Sequence, residues 1–231
     1  MILVLDKGHG GKDPGACGNG LEEANLTDDI CNRIAAKLVP YDVQVEFAPR
    51  SSSLNERAAF ANGLNADYFC SIHINAGGGT GFESYVHTGA GDDTERIRTI
   101  LHSTIYSGFL AGQGVVDRGK KRANFAVLRE TNMPAVLLEN LFIDTATDAA
   151  KLKDSAFLDG LANEIAYGLV VALGLQKKTV VDTDKITIKV AGQILEGKEI
   201  DGRAWAPVRA LAEALGKTVS WDEATRTVNV I

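Results

Sequence analysis

The sequence predicts an α/β fold: a twisted, mostly parallel or mixed sheet flanked by helices, with a second small ββαββ domain after it. Three observations predict this. Met1–Leu5 is apolar without a break, which suits a strand buried on both faces better than one with a wet side. Short apolar runs then alternate with helical periodicities up to about residue 173. Beyond a polar, aperiodic stretch the pattern changes to closely spaced short strands around a single helix.

The elements follow in order. After the glycine turn at 8–11, Leu26, Ile30, Ile34 and Leu38 recur every fourth residue and predict an amphipathic helix from Asn25, ended by Pro40. Glu23 falls just before that helix or in its first turn, where an anionic side chain is favoured. Residues 43–47 alternate as a second strand. Ser53-Leu54-Asn55-Glu56 is a capping box that opens a helix to about Asn62. Residues 67–74 read as a third strand with His73 near its end, 77–79 as a turn, and 82–87 as a fourth strand. Asp92-Asp93-Thr94 caps a helix carrying Ile97, Leu101 and Ile105 on one face. Residues 112–122 read as a glycine-rich basic loop whose Arg118, Lys120, Lys121 and Arg122 are solvated. Residues 125–128 and 135–138 read as short buried strands, the second delivering Glu139 to the same C-terminal rim as His9. Phe157, Leu161, Ile165 and Leu169 mark a closing helix. The expected domains are 1–175, catalytic, a linker at 176–183, and 184–231. The last, under 50 residues long, is near the limit of independent stability and is expected to pack on something, a second copy included, as a homodimer.

The totals narrow the function classes. With 45% hydrophobic and 23% charged residues in 231, the composition is that of an ordinary globular protein. A net charge of -6 argues against nucleic-acid binding through a broad basic surface. Three cysteines, Cys17, Cys31 and Cys70, without C-x-x-C indicate reduced packing residues rather than a disulfide framework or a thiolate zinc knuckle. The apolar start lacks a basic leader and runs straight into Asp6, so no signal peptide is expected. No stretch approaching the roughly 18 apolar residues of a membrane span is expected either. The expected location is the cytoplasm until release, with no membrane insertion.

Ligands of open α/β sheets gather at the C-terminal rim of the strands, and His9, His73 and Glu139 are expected there. Zinc in a hydrolase takes three imidazole or carboxylate ligands and keeps one position for water; His9, Glu23 and His73 supply such a set. A further carboxylate must carry the proton from water to the leaving group, and Glu139 is placed for it. Each residue also has an ordinary reading. His9 could cap a turn or bind an anion, Glu23 could be a helix-terminus charge, and His73 a hydrogen-bonded core residue. Glu139, after four apolar residues, needs a partner or a job. No H-E-x-x-H occurs, and His87 and His102 compete as ligands.

Longer motifs carry more. Val4-Leu5-Asp6-Lys7-Gly8-His9-Gly10-Gly11-Lys12-Asp13-Pro14-Gly15-Ala16, Gly20-Leu21-Glu22-Glu23-Ala24-Asn25-Leu26, Ser71-Ile72-His73-Ile74-Asn75-Ala76 and Pro134-Ala135-Val136-Leu137-Leu138-Glu139 occur in that order, with Arg50 and the run from Arg57 to Asn62 between the second and third. Over residues 1–173 the chain thereby resembles the zinc-dependent N-acetylmuramoyl-L-alanine amidases of the amidase-3 type, which include phage endolysins and bacterial autolysins. The resemblance implies that His9, Glu23 and His73 bind Zn2+, that Glu139 is catalytic, and that peptidoglycan is the substrate. Spacing to Ala24-Asn25-Leu26 favours Glu23 over Glu22. Lys7 stands where proline is common, and Asn140-Leu141-Phe142 departs from the usual small residue, glycine and phenylalanine. No long helical insert lies between Gly81 and Arg122, as in amidases without an autoinhibitory helix. Asn124 and Arg129 are candidate substrate contacts. Residues 206–216 with Val219-Ser220-Trp221-Asp222 resemble the stalk-like domain of copper amine oxidase N-termini, which implies wall attachment; copper is not implied, since no histidine follows His102. Two rivals stand beside the amidase: a zinc peptidase acting on stem peptides, and a non-catalytic wall-binding protein.

Overall fold

The computed structural model describes residues 1–51, 53–178 and 185–231. They fall into two compact units, one ending at Lys178 and the other comprising the described residues from 185 on.

The first unit contains β1 (Ile2–Lys7), the two-residue pair β2 (Cys17–Gly18) and β3 (Leu21–Glu22), α1 (Glu23–Leu38), β4 (Gln44–Phe47), α2 (Leu54–Gly63), β5 (Tyr68–Asn75), β6 (Phe82–Val86), α3 (Asp92–Ile105), β7 (Asp117–Arg122), α4 (Ala126–Arg129), β8 (Ala135–Phe142), α5 (Ala146–Leu152) and α6 (Ser155–Leu173). Six strands form one mixed sheet in the order β4-β1-β5-β8-β6-β7. β4, β1, β5 and β8 run parallel; β6 runs antiparallel to β8, and β7 is parallel to β6.

Strand alternation sorts the core into two layers. Leu3, Leu5, Cys70, Ile72, Val136 and Leu138 face α1, α3 and α6, whose Ile30, Ile34, Leu101, Leu161 and Ile165 complete that layer. Val4, Phe69, Ala135 and Leu137 face the other way, onto Ala61, Val127 and Leu128 of the shorter helices. Farther along this second face the side chains turn polar. Val4 is succeeded by Asp6, Phe69 by Ser71 and His73, and Leu137 by Glu139. The apolar cover ends where the chemistry begins.

Beneath that polar rim lies a buried ion pair. Arg57 on α2 is 2% exposed and donates from Nη1 to Asp6 Oδ1 at 2.8 Å. It also donates to the carbonyls of Lys7, His9 and Ser51. Ser71 Oγ donates to the other Asp6 oxygen at 2.6 Å. Each Arg57 nitrogen has at least one acceptor and each Asp6 oxygen a donor, which is what makes a buried charge tolerable.

Three expectations are corrected, and one element is new. Residues 117–122 are not a solvated loop but the edge strand β7; an edge needs pairing on one side only and carries charge rather than apolar alternation. Residues 126–129 form one helical turn where a strand was expected, since a short apolar run does not distinguish the two. α5 was not foreseen. α6 is long and apolar enough, by length and composition, to cross a membrane, where no such stretch was expected; half of its most apolar window is buried. Asp159 and Glu164 interrupt its sequence without lowering its mean hydropathy below that of a span. Its small residues press on the core: Gly168 lies against Leu101, and Gly160 against Phe109.

The second unit pairs β9 (Lys185–Val190), β10 (Gln193–Ile200) and β11 (Arg203–Trp205) as an antiparallel sheet, followed by α7 (Val208–Ala214) and the hairpin β12 (Val219–Asp222) and β13 (Thr227–Val230). The second strand, which the sequence predicts only near 193–195, runs on to Ile200, and β11 is additional. Ala212 and Ala214 are buried, whereas Ile194, Ile200, Trp205, Leu215 and Trp221 are exposed.

Replacing Arg57 with alanine strands the Asp6 carboxylate in the interior. We expect a loss of about 3–5 kcal/mol of unfolding free energy, measurable by urea denaturation; a loss below 1 kcal/mol would mean that the pair is not buried in solution.

Candidate metal centre and active site

The site is assembled from three segments that the sheet brings to one rim. β1 ends at Lys7, and the chain turns back through Gly8, whose N–H donates to the Ile72 carbonyl of β5 at 3.0 Å. A Cβ at Gly8 would lie 2.7 Å from the His73 ring, so only glycine admits the imidazole there. His9 takes a left-handed φ of 62°, a conformation uncommon outside glycine. Gly10 and Asp13 lock this turn by exchanging backbone hydrogen bonds of 2.8 and 3.1 Å. Glu23 opens α1 and points back under the loop, 3% exposed.

Glu23 holds the arrangement together. Its Oε2 lies 3.2 Å from His9 Nε2 and accepts from the Ala16 N–H at 3.0 Å. Its Oε1 accepts from His73 Nδ1 at 2.9 Å and from the Ile74 N–H at 3.0 Å. On the far side of His9, Nδ1 donates to Asp13 Oδ2 at 2.8 Å; because a carboxylate only accepts, this bond leaves His9 Nε2 facing Glu23.

One ligand atom from each of His9, Glu23 and His73 lies within 4.8 Å of the others. Their protonation tells the same story. The hydrogen bond to Glu23 raises His9 to about 9 against the cost of burial, with Asp13 adding to it. Burial works against a charged His73, and the bond to Glu23 overcomes it, so its pKa is raised. Burial opposes ionisation of Glu23 as well, but His73 and His9 hold its pKa far below the carboxylate range. The cavity stabilises positive charge, and two imidazoles plus a carboxylate with an open side form a donor set that zinc accepts. These residues fit a divalent metal.

Glu139 is the cross-strand partner of His73 on one side and of Glu83 on the other. Its Oε2 is buried without a hydrogen-bond partner among the described residues. Burial, with Glu83 and Glu23 adding to it and His73 opposing it, pushes the carboxyl from the ordinary 4.5 up to about 7. A carboxyl held near neutrality suits a group that must both take and give a proton.

The remaining candidates lie elsewhere. Asn124 Oδ1 accepts from Arg129 Nη1 at 2.8 Å and stands 3.3 Å from His87 Nε2. This group borders Ala135, at the start of β8, four residues before Glu139, or roughly 13 Å along the strand. The structure does not bring it to the histidines. His102 is buried between Ser84 and Asp117 and does not join them either. Sequence reading missed Asp13 and Glu83. Asp13 was visible only as part of a longer motif, and Glu83 looked like any charge on a half-buried strand.

In metal-free protein, folding raises the Glu139 pKa above its unfolded value, so the folded state keeps a proton that the unfolded chain has released. The contribution of this group to stability therefore falls as pH rises from about 4.5 through 7. Chelator-treated Glu139→Gln should gain on the parent across that window by on the order of 3 kcal/mol in urea titrations; a flat difference would mean an unperturbed carboxyl.

Residues 3–170 match the N-acetylmuramoyl-L-alanine amidase family, and residues 170–230 match the copper amine oxidase N-terminal domain. The chain is 48% identical over 180 residues to a sporulation-specific N-acetylmuramoyl-L-alanine amidase of Bacillus subtilis, covering 76% of this chain and 69% of the relative. It is 40% identical over 244 aligned positions to an endolysin of Bacillus phage SPP1, covering 99% and 90%. A crystal structure of an N-acetylmuramoyl-L-alanine amidase from Clostridium difficile superposes with a TM-score of 0.69 at 34% identity, over 75% of this chain and 96% of that one. With nearly three quarters of its length matched and the sheet of its first unit shared, the chain belongs to the N-acetylmuramoyl-L-alanine amidase family, extended by a copper amine oxidase N-terminal-like domain.

Proposed function

We propose that this chain is a zinc hydrolase that cuts the amide joining N-acetylmuramic acid to L-alanine in peptidoglycan, and that its work is lysis of the wall. The observation that carries the reading is the convergence of His9, Glu23 and His73 beside a buried Glu139 whose Oε2 has no hydrogen-bond partner among the described residues, in a chain of this family. His9, Glu23 and His73 would hold the ion. When bound, zinc would polarise the scissile carbonyl and acidify a water molecule.

The protein's own groups do the rest. Glu139 takes the proton of the attacking water and returns it to the departing amide nitrogen, so that the leaving group is the neutral α-amine of L-alanine. Burial raises its pKa towards neutrality in the metal-free site, which suits a group that works in both directions. Asp13 fixes the His9 ring, and the Ile74 and Ala16 N–H groups fix Glu23, so the ligands are aimed before substrate arrives. The unit from about residue 184 serves attachment to the wall, as its resemblance to a stalk-like domain suggests. The chain is held in the cytoplasm until release.

Purified peptidoglycan digested with the full chain should yield new L-alanine amino termini and intact glycan strands by mass spectrometry, and a chelator should stop the reaction. New termini at other residues would instead make it a peptidase, and no products a wall-binding protein. Glu139→Ala should retain zinc, measured by elemental analysis, and lose at least about a thousand-fold in turnover; full activity would remove Glu139 from the mechanism. His73→Ala should lose zinc and activity together, and a variant with full zinc would remove that residue from the ligand set.

A further inference from the structure

Next to Glu139, on the side away from His73, lies a charged cluster that the amidase chemistry does not use. Glu83 is 2% exposed, and four groups converge on its carboxylate. Asn75 Nδ2 and the Tyr85 hydroxyl donate to Oε1 at 2.7 and 2.9 Å. Arg118 Nε donates to Oε2 at 2.9 Å, and Lys121 Nζ donates to the same oxygen. Two cations on one buried carboxylate leave a surplus of one positive charge. Both cations are about one third exposed, at 34% and 36%, so each reaches solvent as well as Glu83. Arg118 uses only Nε here; its Nη groups take no hydrogen bond among the described residues, and its guanidinium lies over the Phe142 ring at 4.8 Å.

The backbone is shaped to make this cluster. Residues three apart on a regular strand point to opposite faces, so Arg118 and Lys121 should not meet. The β6–β7 register shifts between Phe82 and Ser84, opposite Gly119, which has a φ of 85°. That irregularity turns both cations onto the face that carries Glu83 and Glu139. Neutralising Glu83 would need one cation, and an edge strand needs no bulge to supply it. Bulges that re-aim side chains are frequent beside active sites.

We infer that Arg118 and Lys121, braced by Glu83, form a subsite for a carboxylate of the peptidoglycan stem peptide. The inference rests on the amidase reading and deepens it, since it names what the enzyme recognises beyond the scissile bond. The free face of the guanidinium offers two parallel N–H donors, the geometry that binds a carboxylate in bidentate fashion. β7 lies two strand spacings from β8, roughly 10 Å, which an extended peptide covers in about two to three residues. The carboxylate therefore belongs to the second or third residue of the stem. Amidation at that position, which removes the charge and keeps the shape, is the discriminating change.

The test uses the full zinc-loaded chain and synthetic muramoyl-tripeptides, identical except that the carboxyl of the second residue, the third, or neither is amidated. Peptide binding is measured by calorimetry on the free stem peptides, and hydrolysis is followed in parallel. One amidation should weaken binding and raise KM by about ten- to a hundred-fold, and the residue whose amidation matters identifies the source of the carboxylate. In Arg118→Gln and Lys121→Gln that preference should shrink towards unity, a change that mere destabilisation cannot produce. Equal binding of all three peptides by the parent chain would overturn the subsite without any variant having to fold. So would a preference that survives both substitutions. Discrimination in binding without hydrolysis would sink the amidase reading and keep the subsite, whereas hydrolysis without discrimination would do the reverse.

Discussion

Everything at this site leans on the carboxylate of Glu23. It accepts from two backbone N–H groups and sits between two imidazoles, and these contacts come from three separate stretches of chain. Ala16 belongs to the loop before α1, Ile74 to the central strand, and His9 to the turn after the first strand. A buried carboxylate without such partners would cost several kcal/mol; with them it becomes the joint that fixes the loop, the helix start and the strand at once. The fold supplies the joint cheaply, because α1 begins at Glu23 and its first turn favours negative charge.

The second face of the sheet explains why chemistry and core can share the same strands. Near the strand starts, Val4, Phe69 and Leu137 are covered by α2 and α4; two residues on, the same face presents Asp6, Ser71 and Glu139. The covering helices are short, ten and four residues, and they stop before the rim. Arg57 reaches from α2 across that boundary, and its bonds to the Lys7 and His9 carbonyls carry the order of the core into the loop.

Much of this was legible in the sequence, and the exceptions have physical causes. The strands that the core buries on both sides announced themselves as apolar runs, and Glu139 stood out because a carboxylate after four apolar residues needs a reason, whereas His9, Glu23 and His73 were marked as a set only by the longer motifs that resemble the amidase family. β7 was unreadable because Asp117–Arg122 is an edge strand with no apolar side to alternate. Glu83 was unreadable because its importance lies in four partners from other positions, none of which its own neighbours in sequence reveal. α5 was missed for a similar reason. Its Asp148 is buried to accept the Gly81 and Phe142 N–H groups and the Thr80 hydroxyl, a role that sequence periodicity does not encode.

The left-handed turn at His9 has one more consequence. Its shape is imposed by bonds that owe nothing to an ion: the Gly10–Asp13 exchange, the Arg57 guanidinium on the His9 carbonyl, and the Asp13 carboxylate on the ring. Little conformational freedom is left for an arriving cation to quench. The turn is therefore already cast when the chain finishes folding, and what an arriving cation must displace is the protons that the two imidazoles share with Glu23 rather than any fold of the loop.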